Sequence, residues 1–158
     1  MKLISPLYQR NGLLVLSGIF LLIDQISKCW ARSVLSPGSS RPFLPGLVQL
    51  RLVNNTGAAF GLFSGATFIL GLLSLIVAVA LFIWLWCHSS PLPIWQGLAV
   101  TLLLAGTVGN GIDRWRLGYV TDFLELVPVD FAVFNGADVA INGAIVCFTI
   151  DYFSHHCS

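Results

Sequence analysis

Two long uncharged apolar runs constrain this chain more than any other feature. Ala66 to Cys87 and Pro93 to Ile112 contain no Asp, Glu, Lys or Arg, and only a short polar turn, His88-Ser89-Ser90-Pro91, and Leu92 separate them. A helix needs roughly 20 mostly apolar residues to cross a bilayer. Two such runs with so short a connection form an antiparallel hairpin of spans. Composition points to the same solvent. The chain is 56% hydrophobic and 9% charged, whereas soluble domains average about a quarter charged residues. Too few polar groups are present to cover a globular surface, so lipid is the expected surroundings. The net charge of +1 leaves no basic footprint for nucleic acid.

Two more spans are less clean. Asn11 to Ile23 is uncharged but short, so that helix must run on through Asp24 and Lys28 to about Ala31. Val139 to Ile150 is also short, and its helix must begin near Asn135 or Asp138. The expected fold is therefore mainly α, an integral membrane protein forming one domain over residues 1–158, with spans at about 11–31, 66–87, 93–112 and 136–153. Lys2 and Arg10 ahead of an apolar stretch also suit a secretory signal. The pattern continues into Asp24 and Lys28 without a small-x-small cleavage site, so a retained first span is expected. Between spans, Val48, Leu50 and Leu52 alternate with Gln49 and Arg51, the period of a half-buried strand. Turn formers precede it at Pro37-Gly38-Ser39-Ser40 and Pro45-Gly46. Tyr119 to Leu126 is a second strand candidate, and a small sheet lying on the membrane surface fits both.

Four spans alternate in direction. The end of the first, the start of the second, the end of the third and the start of the fourth thus share one side. Asp24, Lys28, Arg32, Arg41, Arg51, Asp113, Arg114, Arg116, Asp122, Glu125, Asp130 and Asp138 fall there, which is 12 of the 15 formal charges. A purely structural membrane protein would spread its anchoring charges over both faces. Carboxylates gathered at helix ends suggest a site that meets water at the membrane edge, since ionisable groups are costly there and are retained for function. Counting Lys and Arg alone would place this face in the cytoplasm.

Several constellations could carry chemistry. Asp24 and Lys28, at i and i+4, share a helix face; they form either a local ion pair or a contact to substrate. Asn54-Asn55-Thr56-Gly57-Ala58-Ala59-Phe60-Gly61 is either a plain turn or a loop whose amides bind a ligand backbone. Gly109-Asn110-Gly111-Ile112-Asp113-Arg114 closes the third run, where adjacent Asp and Arg often make a structural ion pair. Asp122 lies among apolar and aromatic neighbours in Gly118-Tyr119-Val120-Thr121-Asp122-Phe123, which favours partial desolvation. Asp138 opens the fourth span in Phe134-Asn135-Gly136-Ala137-Asp138, where a helix dipole would favour its ionised form. If Asp122 and Asp138 meet, they cannot easily both ionise. They would share a proton, one acting as base and the other as acid, as aspartic proteases do. His155, His156 and Cys157 could hold a metal, but a frayed terminus is a poor cage. The cysteines are read as small hydrophobes near lipid.

At these residues the chain resembles the lipoprotein signal peptidases (signal peptidase II), four-span bacterial aspartic proteases. Asp24 to Lys28 looks like that family's first motif, with Ser27 where Thr is usual. Asn55-x-Gly57-Ala58-Ala59-Phe60-Gly61 resembles its second. Gly109-Asn110-x-x-Asp113-Arg114 with Gly118-x-Val120-x-Asp122-Phe123 resembles its third, and Phe134-Asn135-x-Ala137-Asp138-x-x-Ile141 its fourth. The resemblance implies that Asp122 and Asp138 are the catalytic dyad. It implies that Asn55, Gly57, Asn110, Arg114 and Asn135 bind substrate, and that Asp24, Lys28 and Asp113 support the site. No metal or cofactor is expected. The implied substrate is a prolipoprotein whose cysteine carries diacylglycerol, cut just before that cysteine. The implied setting is a monomer among the lipids of the bacterial inner membrane, with its site periplasmic, its sheet extracytoplasmic and both termini cytoplasmic. Two rival readings make different demands on the sequence. In a proton channel or transporter, carboxylates would continue across the membrane, yet the second span has none. In a non-enzymatic assembly factor, function would survive Asp→Asn at 122 or 138.

Overall fold

The computed structural model describes residues 6–58 and 62–156. Ala59, Phe60 and Gly61 of the second motif, with Lys2 and Cys157, lie outside the described residues, as do the side chains of His155 and His156. Four helices and a three-stranded antiparallel sheet follow in the order α1 (Pro6–Val34), β1 (Ser40–Leu44), β2 (Val48–Asn55), α2 (Thr67–Cys87), α3 (Ile94–Leu117), β3 (Val120–Leu126) and α4 (Gly136–His156). Gln9–Val34, Thr67–Cys87 and Gly136–Ser154 are long and apolar enough to cross a membrane. Their large apolar side chains, such as Leu22, Ile26, Ile69, Ile76 and Val146, point outward. That arrangement is costly in water and favourable in lipid.

The third helix differs because protein, not lipid, surrounds it. It packs against α1, α2 and α4, and the buried positions that make this possible are small or polar: Gly97, Ala99, Thr101, Ala105, Gly106, Thr107, Gly109 and Asn110. Small residues let helix backbones approach closely where no hydrophobic force drives helices together. At about 1.5 Å per residue, its 24 residues are still long enough for a hydrocarbon core of about 30 Å. The helix also runs past the expected end at Ile112 to Leu117, so Asp113 and Arg114 stand on helical faces and not in a loop. Gly118 ends it in the left-handed conformation (φ 78°) and donates its N–H to the Arg114 carbonyl at 3.2 Å, a conformation in which a Cβ is strained.

The closest helix packing is between α3 and α4. A Cβ placed on Gly106 would lie 2.5 Å from the Ala137 carbonyl oxygen and 2.7 Å from Ile141 Cγ1. Backbone cannot yield as a flexible side chain can. Gly106→Ala is therefore expected to lower stability by about 1–3 kcal/mol, the usual range for overpacking, which thermal unfolding in detergent would measure.

The sheet has the order β1-β2-β3. It packs on the end of α1 through Leu50 and Phe123 against Ala31 and Leu35. A second small core, Leu85, Leu92 and Val100 with Leu13 and Leu14, closes the opposite end of the bundle. The strand β1 was not expected, because the turn formers Pro37-Gly38-Ser39-Ser40 and Pro45-Gly46 overlap or flank it. Pro42 has no N–H to give a ladder, but β1 is an edge strand, where that loss is tolerated. Glu125, without a role in the sequence, clamps β2 to β3: its carboxylate accepts from Gln49 Nε2 at 2.7 Å and Arg51 Nη1 at 2.8 Å.

Candidate active site

The site forms where α1, α3, β3 and α4 converge. After β3, the chain folds back along its own strand. Phe134 bridges Leu124, donating to its carbonyl at 2.9 Å, while the Phe134 carbonyl accepts from Phe123 and Leu124. This return delivers Asn135 beside Asp122 and starts α4 one residue later. Asn135 and Asp138 then cap the helix reciprocally. Asn135 Oδ1 accepts the Asp138 N–H at 3.0 Å, and Asp138 Oδ2 accepts the Asn135 N–H at 3.1 Å. Two orphan donors are satisfied by this capping box.

The same Asn135 links the two carboxylates. Its Nδ2 donates to Asp122 Oδ1 at 2.6 Å while its main chain holds Asp138. The remaining carboxylate oxygens are held by two other amides: Asn55 Nδ2 reaches Asp122 Oδ2 at 2.9 Å, and Asn110 Nδ2 reaches Asp138 Oδ1 at 2.8 Å. Asp122 is 2% exposed. Burial first, and then the Asp138 carboxylate, push the Asp122 carboxyl up to about 6 from the ordinary 3.8; the hydrogen bonds from Asn55 and Asn135 and the Lys28 charge pull the other way. Two charges cannot be held cheaply so close in a poorly solvated site.

Behind the amides stands a charged network from α1 and α3. Lys28, wholly buried, touches Asp24 at 3.0 Å and Asp113 at 3.7 Å, and donates to Asn110 Oδ1 at 2.9 Å. Asn135 Nδ2 also reaches that oxygen, at 3.2 Å. With two donors on its oxygen, the Asn110 carboxamide must turn its nitrogen toward Asp138. Asp24 Oδ1 accepts the Ala137 N–H at 2.8 Å, serving a first-turn donor of α4 from another helix. A Cβ on Gly109 would fall 2.6 Å from Asp24 Oδ2, so this approach also needs a glycine.

Asp113 and Arg114, adjacent in sequence, point to different partners. Asp113 faces Lys28, Arg32 and the Thr121 N–H. Arg114 donates to the Gly57 carbonyl at 3.2 Å and the Asn110 carbonyl at 3.5 Å; its Nε is buried without an acceptor among the described residues. The expectation of an Asp113–Arg114 ion pair is therefore corrected: helical geometry turns neighbouring side chains to different faces.

A cavity of about 640 Å³ opens onto this cluster. Asn55, Asn110, Arg114, Asp122 and Asp138 line its polar end, and Val139, Asn142, Gly143 and Val146 extend it along α4. Two expected substrate-binding residues are placed differently. Asn135 is 0% exposed and off the cavity wall, because holding both carboxylates uses it up. Gly57 is buried with its N–H on Asn55 Oδ1 and its carbonyl on Arg114, so its main chain is already engaged. Sequence reasoning missed Arg32 and Thr121 behind Asp122 and Asn142 on the wall. Spacing was the available signal, since Arg32 follows Lys28 by one helical step and Asn142 follows Asp138 likewise.

A buried and a half-buried carboxylate on one cavity, at one end of a bundle of membrane-length helices, fit one class of protein, an aspartic hydrolase of the membrane. Comparison with known proteins narrows it. The family model for signal peptidase (SPase) II matches residues 16–154, and the chain belongs to that family of aspartic peptidases. It is 53% identical over 154 residues to the lipoprotein signal peptidase of Parasynechococcus marenigrum, covering 98% of this chain and 96% of that one. It is 39% identical to that of Streptococcus pyogenes, covering 89% and 93%. A solved bacterial membrane enzyme superposes with a TM-score of 0.83 at 25% identity, over 91% of this chain and 88% of that one.

Proposed function

We propose that this chain removes signal peptides from prolipoproteins whose cysteine carries diacylglycerol, cutting the peptide bond just before that cysteine. The observation that carries this reading is the Asn135 bridge, which holds Asp122 and Asp138 on one cavity that continues down a membrane-length helix. The polar end suits a peptide bond, and the apolar extension along α4 suits the substrate's acyl chains and signal helix. In this mechanism the ionised carboxylate takes a proton from water as its oxygen attacks the scissile carbonyl. The protonated partner supports the developing oxyanion, and the pair then gives a proton to the leaving amine. Asn55, Asn110 and Arg114 are proposed to hold the substrate main chain, with Arg114 Nε supplying a donor for a carbonyl. Asp24, Lys28, Asp113 and Asn135 position these groups from behind.

The site is proposed to face the periplasm of the inner membrane, with both termini cytoplasmic. Lys28, Arg32, Arg51 and Arg114 are all tied to the site or the sheet. They are therefore a poor guide to orientation, and the count that placed this face inside is inflated by them. We also propose that α3 crosses the membrane with the other three helices and that the enzyme acts as a monomer.

The test compares a lipidated precursor with its unlipidated form. Cleavage is expected only with the lipidated precursor, and equal turnover of both would overturn the substrate assignment. The same assay gives a pH profile. With the Asp122 carboxyl pushed up to about 6, the pair keeps a proton to a higher pH than an ordinary aspartate would. Since kcat/KM reports groups of the free enzyme, it is expected to fall as pH rises through about 6 and that proton is lost. It should fall again in acid, when both carboxylates are protonated. A profile flat across both limbs would contradict a shared proton.

A further inference from the structure

The first helix presents three charged residues at i, i+4 and i+8, and each reaches a different part of the site. Asp24 holds the Ala137 N–H next to Asp138. Lys28 holds Asn110. The third, Arg32, belongs to none of the motifs that mark the family in this sequence. Its Nη1 donates to Thr121 Oγ1 at 2.7 Å, whereas its approach to the Asp113 carboxylate is long, at 3.9 Å. Thr121 is 0% exposed, immediately precedes Asp122, and gives its main-chain N–H to Asp113 Oδ2 at 2.9 Å.

We infer that Arg32 is a positioning residue for Asp122, acting through the hydroxyl of Thr121. This rests on the reading of Asp122 as catalytic. The strand needs such an anchor. The β2–β3 register is regular over only three pairs here, Asn55 with Val120, Asn54 with Thr121 and Val53 with Asp122, and it shifts between Val53 and Leu50, just past Asp122. The shift separates this short segment, which carries Thr121 and Asp122, from the rest of the β2–β3 ladder, so a side-chain anchor adds to what three pairs can fix. Arg32 and Asp113 grip Thr121 by side chain and main chain, and so fix strand β3 to α1 and α3 one residue from the carboxylate. A charged donor on a neutral hydroxyl is a strong contact for its size. Arg32 is only 25% exposed in its side chain, so solvent competes little for it.

The experiment measures kcat and KM on a lipidated precursor with the full chain in detergent, alongside melting temperature. Arg32→Met and Thr121→Val are each expected to lower kcat roughly tenfold to a hundredfold with KM little changed, since a small misplacement of a reacting group costs about that much. The double variant should lose no more than either single one, because both remove one interaction. Thr121→Ser keeps the hydroxyl and should recover kcat to within about threefold, which a general loss of stability would not allow. Thr121→Val is nearly isosteric and keeps the test valid if Arg32→Met folds poorly. Additive losses, an unchanged kcat in Thr121→Val, or a rise in KM alone would each overturn the inference. Asp122→Asn run in parallel separates the two ideas. If it retains turnover, the catalytic reading fails; if it is inactive while Thr121→Val is normal, only the positioning role fails.

Discussion

Asp122→Asn and Asp138→Asn are each expected to reduce cleavage of a lipidated precursor by about 10⁴-fold or more while the protein remains folded. The magnitude follows from the proposed chemistry: general acid–base transfer is worth about 10²–10⁴, and groups acting as a unit fail together. Asparagine keeps the shape of aspartate but can neither take a proton from water nor hold one for the leaving amine. The structural cost should be small. Each carboxylate accepts two hydrogen bonds, and an amide oxygen can keep one of them. The nitrogen then faces a donor, at a cost of about 1–3 kcal/mol, offset in part by removing a buried charge. Single-turnover cleavage together with a melting curve would check both halves. Substantial turnover by either variant would remove that residue from the dyad.

Lys28→Met should produce the largest loss of stability, about 3–5 kcal/mol. The ammonium is wholly buried between Asp24 and Asp113. Methionine replaces its volume but leaves two carboxylates, 4% and 2% exposed, without a counter-charge. Breaking one side of a buried ionic cluster costs more than the cluster itself contributes, because the remaining charge cannot return to water. Adding Asp24→Asn to Lys28→Met is expected to restore part of the loss, since one orphaned charge is then gone. The check is reversible unfolding in detergent or bicelles. A Lys28→Met protein as stable as the parent, yet inactive, would instead place Lys28 among the groups that touch substrate.

Much of this site could be read from residue order. Asp24, Asn110, Asp122 and Asp138 were expected on one face because helices that cross a bilayer must alternate in direction, and that rule needs no side-chain geometry. The alternation of Val48, Leu50 and Leu52 marked β2, and Tyr119 to Leu126 was the candidate that became β3. The strand β1 was hidden because Pro42 argues against a strand unless one knows that it lies at an edge. The end of α3 was misplaced for a related reason. Asp113 looks like the start of a polar loop, yet the helix continues because Asp113 finds Lys28 and the Thr121 N–H inside the protein. A buried partner changes what a charged residue signifies, and partners distant in sequence are not visible in the sequence.

Gly106 and Gly109 show the same division. In sequence they are weak helix formers in a span; in the fold they are where the Ala137 carbonyl and the Asp24 carboxylate must pass. The scarcity of charge and the alternation of the spans by themselves determined the lipid surroundings, the helical class and the gathering of the carboxylates on one face, because burying charge in lipid is so unfavourable that few arrangements survive. Only the tertiary structure decided which polar groups meet. It made Asn135 the link between the carboxylates instead of a wall of the cavity. It sent Asp113 and Arg114 to different partners, and it brought Arg32 to the residue beside Asp122. Hydrogen bonds act over about 3 Å, so such pairings depend on the packing of α1, α3, β3 and α4 and not on spacing along the chain.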